Sequence, residues 1–567
     1  VTKTQSPEQP TEQPAMTRIV LLAALAASLL ALGLYLLTLH PGVGPSLDSM
    51  ELQIAALVRG VIHPPGSPQY LMLGRAAMSV LPGPNPAYRL NLLSALFAAA
   101  AVGVTFLLTY RLTRGLVVSL FASLLLTLSP RLWYQASIAE LYSLNALYVS
   151  LVLYLLVTWH QTRHPAAYWA ATAVYAFSFG NHLTMILLLP VFLYAVESTD
   201  RSMLICPRNL AITIGIVLVA AAQYLYIPIR AAASPPFCNY CPTTSGTFVE
   251  NGRAILDYLT GGPFKSQMFA LSLRDILERI PEAIGLIGRQ FMPWGAALLI
   301  VGIWELFQKH VEYAWMLVLG MVAELVFVLA YAIPDWHDFL TPVYVIATPL
   351  VGYGTLRLVE KIRPEIETFL LKRRPQTMNL AVVGMVVLIG AVLFTSFYAY
   401  LPAVDQSDDT GYMVDSRALL DQAEPGAWVL MPHPNSPAFY YSWAVRYTSL
   451  AENLPPDLSL VAAPEVDPPP GPEPTYIPWS AAADALTIDA LKNGDQQIFV
   501  LDWADDRFEG WGLLPICVPD TDSIAGYEVA AVMEDGHPTP LVDLARWAAI
   551  ESHVVFDGSE PFECPAE

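Results

Sequence analysis

Charged residues are scarce in this 567-residue chain. Asp, Glu, Lys and Arg make up 14% of it, where a soluble domain carries about 25%. The shortage lies in residues 1–400, and it excludes a chain solvated along its whole length. Basic residues are rarest after Leu401, where five Lys and Arg face 29 Asp and Glu. So acidic a segment would repel phosphates, which excludes nucleic acid as its partner. Cysteine is scarce too, at five residues. The single CxxC, Cys238-Asn239-Tyr240-Cys241, has no second CxxC and no His pattern near it. That speaks against a zinc site and leaves a disulfide or plain thiols. Cys206, Cys517 and Cys564 are isolated in sequence. No internal repeat is found, so the paired halves of many transporters are missing.

What the chain does have is long apolar runs. About 20 apolar residues at 1.5 Å rise cross a bilayer core. Eleven candidate spans follow, at 18–39, 92–110, 115–130, 141–159, 166–180, 183–199, 209–229, 285–307, 313–333, 340–358 and 378–400. Residues 1–17 read as a disordered, cytoplasmic tail, polar and rich in Pro, Gln and Thr, ahead of an uncleaved first span. The clusters Arg111/Arg114, Arg201/Arg208 and Lys361–Arg374 fall on one side if spans alternate. Positive loops stay inside, so that side is cytoplasmic. The loops 40–91 and 230–284 are then extracytoplasmic and long enough to carry function. Helices are expected near Ser49–Val61 and Pro68–Val80 in the first of them. The acidic tail, 401–567, is also outside. Its Trp428–Met431 and Gln497–Leu501 read as strands, Asp415–Gln422 and Leu541–Ile550 as helices, and Pro455–Pro478 as an irregular connector. The expected architecture is a polytopic α-helical membrane protein of about eleven spans with a C-terminal soluble α/β domain.

Polar side chains at span ends are costly and need partners or a purpose. Here they gather on the outer face. Asp48 and Glu51 are three residues apart at the start of an expected helix, whose dipole favours ionised carboxylates. A carboxylate there can take a proton from a hydroxyl; alternatively, Asp48 is an N-cap. His63 stands in a rigid His-Pro-Pro-Gly turn. Arg89, Glu140, the Asn181-His182 turn, Arg230 and Asp335 all sit at outer ends of spans.

Several of these blocks occur together in one known family. Asp48-Ser49-Met50-Glu51, His63-Pro64-Pro65-Gly66 and Tyr88-Arg89-Leu90-Asn91-Leu92-Leu93-Ser94-Ala95-Leu96 resemble the DUF2723 family. These multi-span proteins are related to the transmembrane protein 260 O-mannosyltransferases, within the GT-C glycosyltransferases. Ala139–Asn145, Gly180–Thr184, Tyr224–Arg230 and Ile333-Pro334-Asp335 match in the same order. The chain departs from the family pattern at Met50, usually Gly, and at Ser46-Leu47, usually an aromatic and Gly. The resemblance implies a GT-C-like fold, a polyprenyl-phosphate-linked sugar as donor and catalysis on the extracytoplasmic side. It makes Asp48 the catalytic base, with Glu51 supporting it. Arg230 and Arg89 become donor-phosphate ligands, and His63 and His182 phosphate or supporting contacts. Glu140, Asn181 and Asp335 are further site candidates, and no metal is assigned.

The implied function is transfer of a sugar, mannose by kinship, to an acceptor hydroxyl on a protein Ser/Thr or a glycan. The enzyme would reside in the plasma membrane, with lipids around it and protein partners reached through 401–567. Two other readings stay open: a lipid or small-molecule transporter or flippase, and an inactive structural or assembly protein.

Overall fold

The structure, a computed structural model, describes residues 17–242, 244–371, 377–430, 438–452, 458–461, 476–477, 497–501, 511–518, 524–534, 537–542 and 554. The expected N-terminal tail, the Pro455–Pro478 connector and the Leu541–Ile550 helix lie largely or wholly outside these residues. Seven helices are long and apolar enough to cross a bilayer: Arg18–Leu37, Pro86–Thr113, Leu141–Thr162, Pro207–Ala232, Leu273–Lys309, Val311–Ala330 and Asp338–Ile362. The pair Leu116–Thr127 and Pro130–Ser137, bent by 61°, makes an eighth if counted as one span.

The expected count of eleven is therefore too high among the described residues. The segments at 166–180 and 183–199 are helical, as Pro165–Ser178 and Leu183–Thr199, but too short for a straight crossing. Gly180-Asn181-His182 breaks the chain between them. The segment at 378–400 lies within the 28-residue helix Thr377–Val404, as expected.

Small residues set the packing where helices meet most closely, as membrane interfaces require. Gly302 on Leu273–Lys309 faces Gly354 on Thr341–Leu371. A Cβ on Gly302 would lie 1.9 Å from the Leu350 carbonyl oxygen, and one on Gly354 2.0 Å from that of Leu298. Only glycine lets these two backbones touch. The Leu273–Lys309 helix also breaks at Met292 (φ 61°), just before Pro293, whose ring cannot continue the ladder.

The bundle has two chemically distinct ends. Pro86–Thr113 ends at Arg114 and Leu141–Thr162 at Arg163, both in left-handed capping geometry. Their opposite ends, at Asn85 and Glu140, adjoin the first long loop. That loop folds into the helices Leu47–Val58 and Pro68–Val80, close to expectation.

The tail forms one sheet in the order β3-β2-β1-β4-β6-β5. The strands are β1 (Trp428–Leu430), β2 (Ser459–Val461), β3 (Tyr476–Ile477), β4 (Ile498–Val500), β5 (Trp511–Cys517), β6 (Ile524–Glu534) and β7 (His537–Pro540), the last pairing β6. β3, β2, β1 and β4 are mutually parallel, and β4, β5 and β7 run antiparallel to β6. β1 and β4 fall where the sequence placed strands, and the helix expected at Asp415–Gln422 appears as Gly411–Leu420. Short runs such as Ile-Phe-Val, buried at every position, suit a sheet covered on both faces.

The tail does not float free of the bundle. Its helix Ala438–Glu452 packs Ala444 and Tyr447 into the same buried cluster as Met50, Ile54 and Ala87. Ala87 lies in the first turn of its helix, where backbone N–H groups have no intrahelical partner. The Tyr447 hydroxyl accepts that N–H at 2.8 Å. Tyr447→Phe should therefore cost about 1–3 kcal/mol, since a buried donor loses its acceptor. A lowered unfolding midpoint of the purified protein checks this, and an unchanged midpoint refutes it. Arg446, buried, donates to the Pro236 carbonyl at 3.1 Å. Next to the bundle, His40 and Asp409 approach to 3.7 Å.

Candidate functional site

At the end of the bundle away from Arg114 and Arg163, several loops enclose a cavity of about 320 Å³. Six of the nine residues singled out in the sequence line it: Asp48, Glu51, His63, Glu140, His182 and Asp335.

Asp48 owes its freedom to its neighbours. The first-loop helix opens at Leu47, two residues earlier than expected, and Ser46 is its N-cap. The Ser46 hydroxyl accepts the Ser49 N–H at 3.1 Å. The capping role open to Asp48 in the sequence is thus taken by Ser46. The Asp48 carboxylate makes no hydrogen bond to the described residues and faces the cavity from the first turn. Burial pushes its pKa up to about 6, with Glu51 and Asp335 adding to the rise and His63 opposing it.

Glu51, one turn on, is buried and fully engaged. One oxygen accepts the His63 backbone N–H at 2.8 Å and the Asn239 side-chain amide at 2.5 Å. The other meets His63 Nδ1 in an ion pair. Burial alone would lower the His63 pKa. The charge and hydrogen bond of Glu51, with Asp48, outweigh it and raise the ring to about 10. The loop carrying Asn239 is pinned by a Cys238–Cys241 disulfide. It also pairs with the strand-like backbone at Val61, through Val61 N–H to Phe237 O at 3.2 Å and Asn239 N–H to Val61 O at 2.8 Å. Within that loop Tyr240 is left-handed (φ 51°) and lines the cavity. A strained tyrosine of this kind persists where its surroundings hold it in place.

Glu140 is the residue before the Leu141–Thr162 helix and accepts from the Ser46 hydroxyl at 3.3 Å. Burial, then the charge of Asp48, holds its carboxyl well above the ordinary range. His182 caps the following 3₁₀ turn, its Nδ1 2.6 Å from the Thr184 hydroxyl. Burial and the nearby charge of His63 lower its pKa to about 4. At neutral pH, then, His182 is neutral. Asp335 is exposed at the cavity rim.

Three expected site residues are elsewhere. The Arg89 guanidinium donates to the carbonyls of Met78 (2.8 Å) and Gly83 (3.1 Å) and ties down the end of the Pro68–Val80 helix. Arg230 donates to the Arg59 carbonyl at 2.6 Å on the exposed surface. Neither lines the cavity, because each side chain is spent on unpaired backbone carbonyls of the first loop. Asn181 is buried and donates to the Leu141 carbonyl at 3.2 Å, holding the turn rather than facing the cavity.

Other lining residues were not singled out in the sequence. Tyr142, Phe327, Tyr331 and Phe339 form an aromatic wall, with Phe264 and Met268 beside it and Trp443 contributed by the tail. Phe339 lies 5.5 Å from the rings of both Tyr142 and His182. Asn239 and Tyr240 had a signal, since they are the residues enclosed by the CxxC. The others had none, because aromatics at span ends are ordinary interface residues.

Asp48, Glu51 and His63 each offer one ligand atom, and these atoms lie within 4.8 Å of one another. Two carboxylates and an imidazole at that spacing could hold a divalent cation. The sequence reading assigned no metal. Spacings of three and twelve residues across a helix and a turn match no recognised ligand motif.

Residues 48–204 match the model of the protein O-mannosyl-transferase TMEM260 N-terminal domain. The chain is 31% identical to protein O-mannosyl-transferase TMEM260 of Mus musculus over 200 residues, 34% of this chain and 28% of that protein. It is 22% identical to the Dictyostelium discoideum protein of the same name over 210 residues, 34% of this chain and 26% of that one. The chain thus matches less than a third of the length of these relatives. Among solved structures, ArnT from Cupriavidus metallidurans bound to undecaprenyl phosphate superposes with a TM-score of 0.59 at 14% identity, covering 91% of this chain and 98% of that one. Its apo form gives 0.59 at 13%, covering 90% and 96%. The resemblance read from the sequence is therefore shown, and the fold is a GT-C-like helical membrane bundle with a C-terminal domain containing a small sheet.

Proposed function

We propose that this chain is a membrane glycosyltransferase. It would move a sugar, mannose by kinship with the O-mannosyl-transferases, from a polyprenyl-phosphate donor to a hydroxyl of protein Ser or Thr. The observation that carries this reading is the unpartnered Asp48 carboxylate, aimed into a cavity at one end of a bundle of membrane-spanning helices. In the proposed step the acceptor oxygen attacks the anomeric carbon while Asp48 takes the hydroxyl proton. The bond between that carbon and the phosphate oxygen breaks from the opposite side, and the polyprenyl phosphate leaves as an anion. The aromatic wall offers an apolar surface for the prenyl chain, consistent with the lipid named for the ArnT complex. The positive-inside pattern supports placing the cavity and the tail outside the cell, with the N-terminus in the cytoplasm.

The reading is tested with purified protein in vesicles, a labelled polyprenyl-phosphate mannose and a Ser/Thr peptide. Label should appear on the peptide. Movement of the lipid across the vesicle without labelled peptide would replace this reading with a flippase.

A leaving phosphate needs positive charge. With Arg89 and Arg230 absent from the cavity, three carboxylates (Asp48, Glu51 and Asp335) face a single imidazolium, His63. A divalent ion that displaces the Nδ1 proton of His63, held by that nitrogen and one oxygen each of Asp48 and Glu51, would offset that surplus and supply positive charge for the departing phosphate. Chelator-treated protein is therefore expected to take up about one Mn²⁺ or Mg²⁺ per chain, read by calorimetry or elemental analysis. The double variant Glu51→Gln, His63→Ala should take up none. Failure of the chelator-treated parent protein to bind any ion assigns the phosphate to the His63 imidazolium alone.

A further inference from the structure

The helix Phe248–Leu259, in the second long loop, has two unlike faces. Thr247 and Glu250 form a capping box at its start, so the helix is well defined. At 100° per residue, Phe248, Val249 and Leu256 fall within an arc of about 100°. They are 93%, 59% and 62% exposed. Tyr258 points away from that arc and is buried, packed with Val61, Ile227 and Cys238. Its hydroxyl donates to the carbonyl of Ile62, the residue before His63.

The surroundings say what covers the exposed face. Ile227 belongs to the Pro207–Ala232 span, and on that span Leu225 and Ile229 are 58% and 62% exposed. Exposed apolar side chains on a membrane-crossing helix face lipid. The helix therefore adjoins the point where a lipid-facing surface ends. Charged residues, Arg253, Asp257 and Glu250, lie on the adjoining arc. Apolar residues on one arc and charges beside it are the pattern of a helix lying in a membrane interface.

We infer that Phe248–Leu259 is an in-plane membrane helix whose Phe248–Val249–Leu256 face sits at the boundary between headgroups and acyl chains. Through Tyr258 it then fixes the His63 turn at a set height above the bilayer. Gly66 at the end of that turn is covered by the same two side chains: a Cβ there would lie 2.7 Å from Ile227 Cδ1 and 2.8 Å from the Tyr258 hydroxyl. The membrane would thus help to hold the cavity wall.

The test uses the full-length protein in phospholipid vesicles, with Cys206→Ser removing the free thiol described in the structure. Single spin labels are placed by Phe248→Cys, Val249→Cys, Leu256→Cys and, on the charged face, Arg253→Cys. Labels at 248, 249 and 256 should collide several-fold more often with dissolved oxygen than with a water-soluble nickel chelate. The label at 253 should show the reverse. Equal access of the chelate to both faces overturns the inference. Protection of the 248 face from both reagents also overturns it, because the face is then covered by protein. Three positions on one face keep a single poorly folding variant from deciding the result. The readout involves no sugar transfer, so it stands or falls apart from the proposed catalysis.

Discussion

Asp48→Asn should lower the turnover of sugar transfer by about a thousandfold, within the 10²–10⁴ range ascribed to a positioned general base. That factor corresponds to about 4 kcal/mol of lost transition-state stabilisation. The substitution keeps the side chain's size and removes its charge and its ability to accept a proton. Three features make the effect one of chemistry rather than folding. Ser46, not Asp48, caps the helix. The Asp48 carboxylate makes no hydrogen bond to the described residues, so Asn breaks none. The residue is also only partly buried at the cavity surface. Thermal unfolding of the variant should therefore match the parent. Activity retained within threefold would remove Asp48 from the chemistry and direct attention to Glu140, the cavity carboxyl that accepts from Ser46. Asp48→Glu gives a further check: a longer side chain moves the carboxylate from its place and should recover only part of the loss.

Much of this site was legible in the sequence because acids and histidines placed at one membrane face have few other duties. Asp48, Glu51, His63, Glu140, His182 and Asp335 were found that way, and the structure brings all six to one cavity. The arginines misled for a physical reason. A guanidinium on a long flexible stem satisfies whichever carbonyls the fold leaves open, and no local pattern shows which those are. Arg89 closes a helix end, and Arg230 reaches back to Arg59. Trp443 could not be foreseen, since it reaches the cavity only through the packing of a tail helix against the first-loop helix. The span count erred where hydropathy and length disagree. Segments 166–180 and 183–199 are apolar enough for a membrane, but their helices, Pro165–Ser178 and Leu183–Thr199, are too short for a straight crossing.

The pairing of Glu51 with His63 leads to the second large effect, which is non-additive. Glu51 accepts the backbone and ring N–H groups of His63 and the amide of Asn239, so one carboxylate holds the first-loop helix, the His63 turn and the disulfide loop together. Glu51→Gln places an amide N–H against at least one of these donors. His63→Ala leaves the buried carboxylate without its cation. Each change should cost about a hundredfold in turnover, and the double variant should cost little more than either alone. Residues in direct contact show coupling energies of about 0.5–3 kcal/mol, and a coupling near the upper end is expected here because Glu51 is buried. Independent losses, multiplying to about ten-thousandfold in the double variant, would show that the two residues act separately on the substrate. Asn239→Ala adds a third corner. It removes the remaining side-chain partner of Glu51 without touching His63, and should weaken transfer by about tenfold while leaving the Glu51–His63 coupling in place. Reduction of Cys238–Cys241 releases the same loop from the other side, and should mimic Asn239→Ala in the parent protein. It should add little to that variant, because the disulfide loop reaches the Glu51 carboxylate directly through the Asn239 amide.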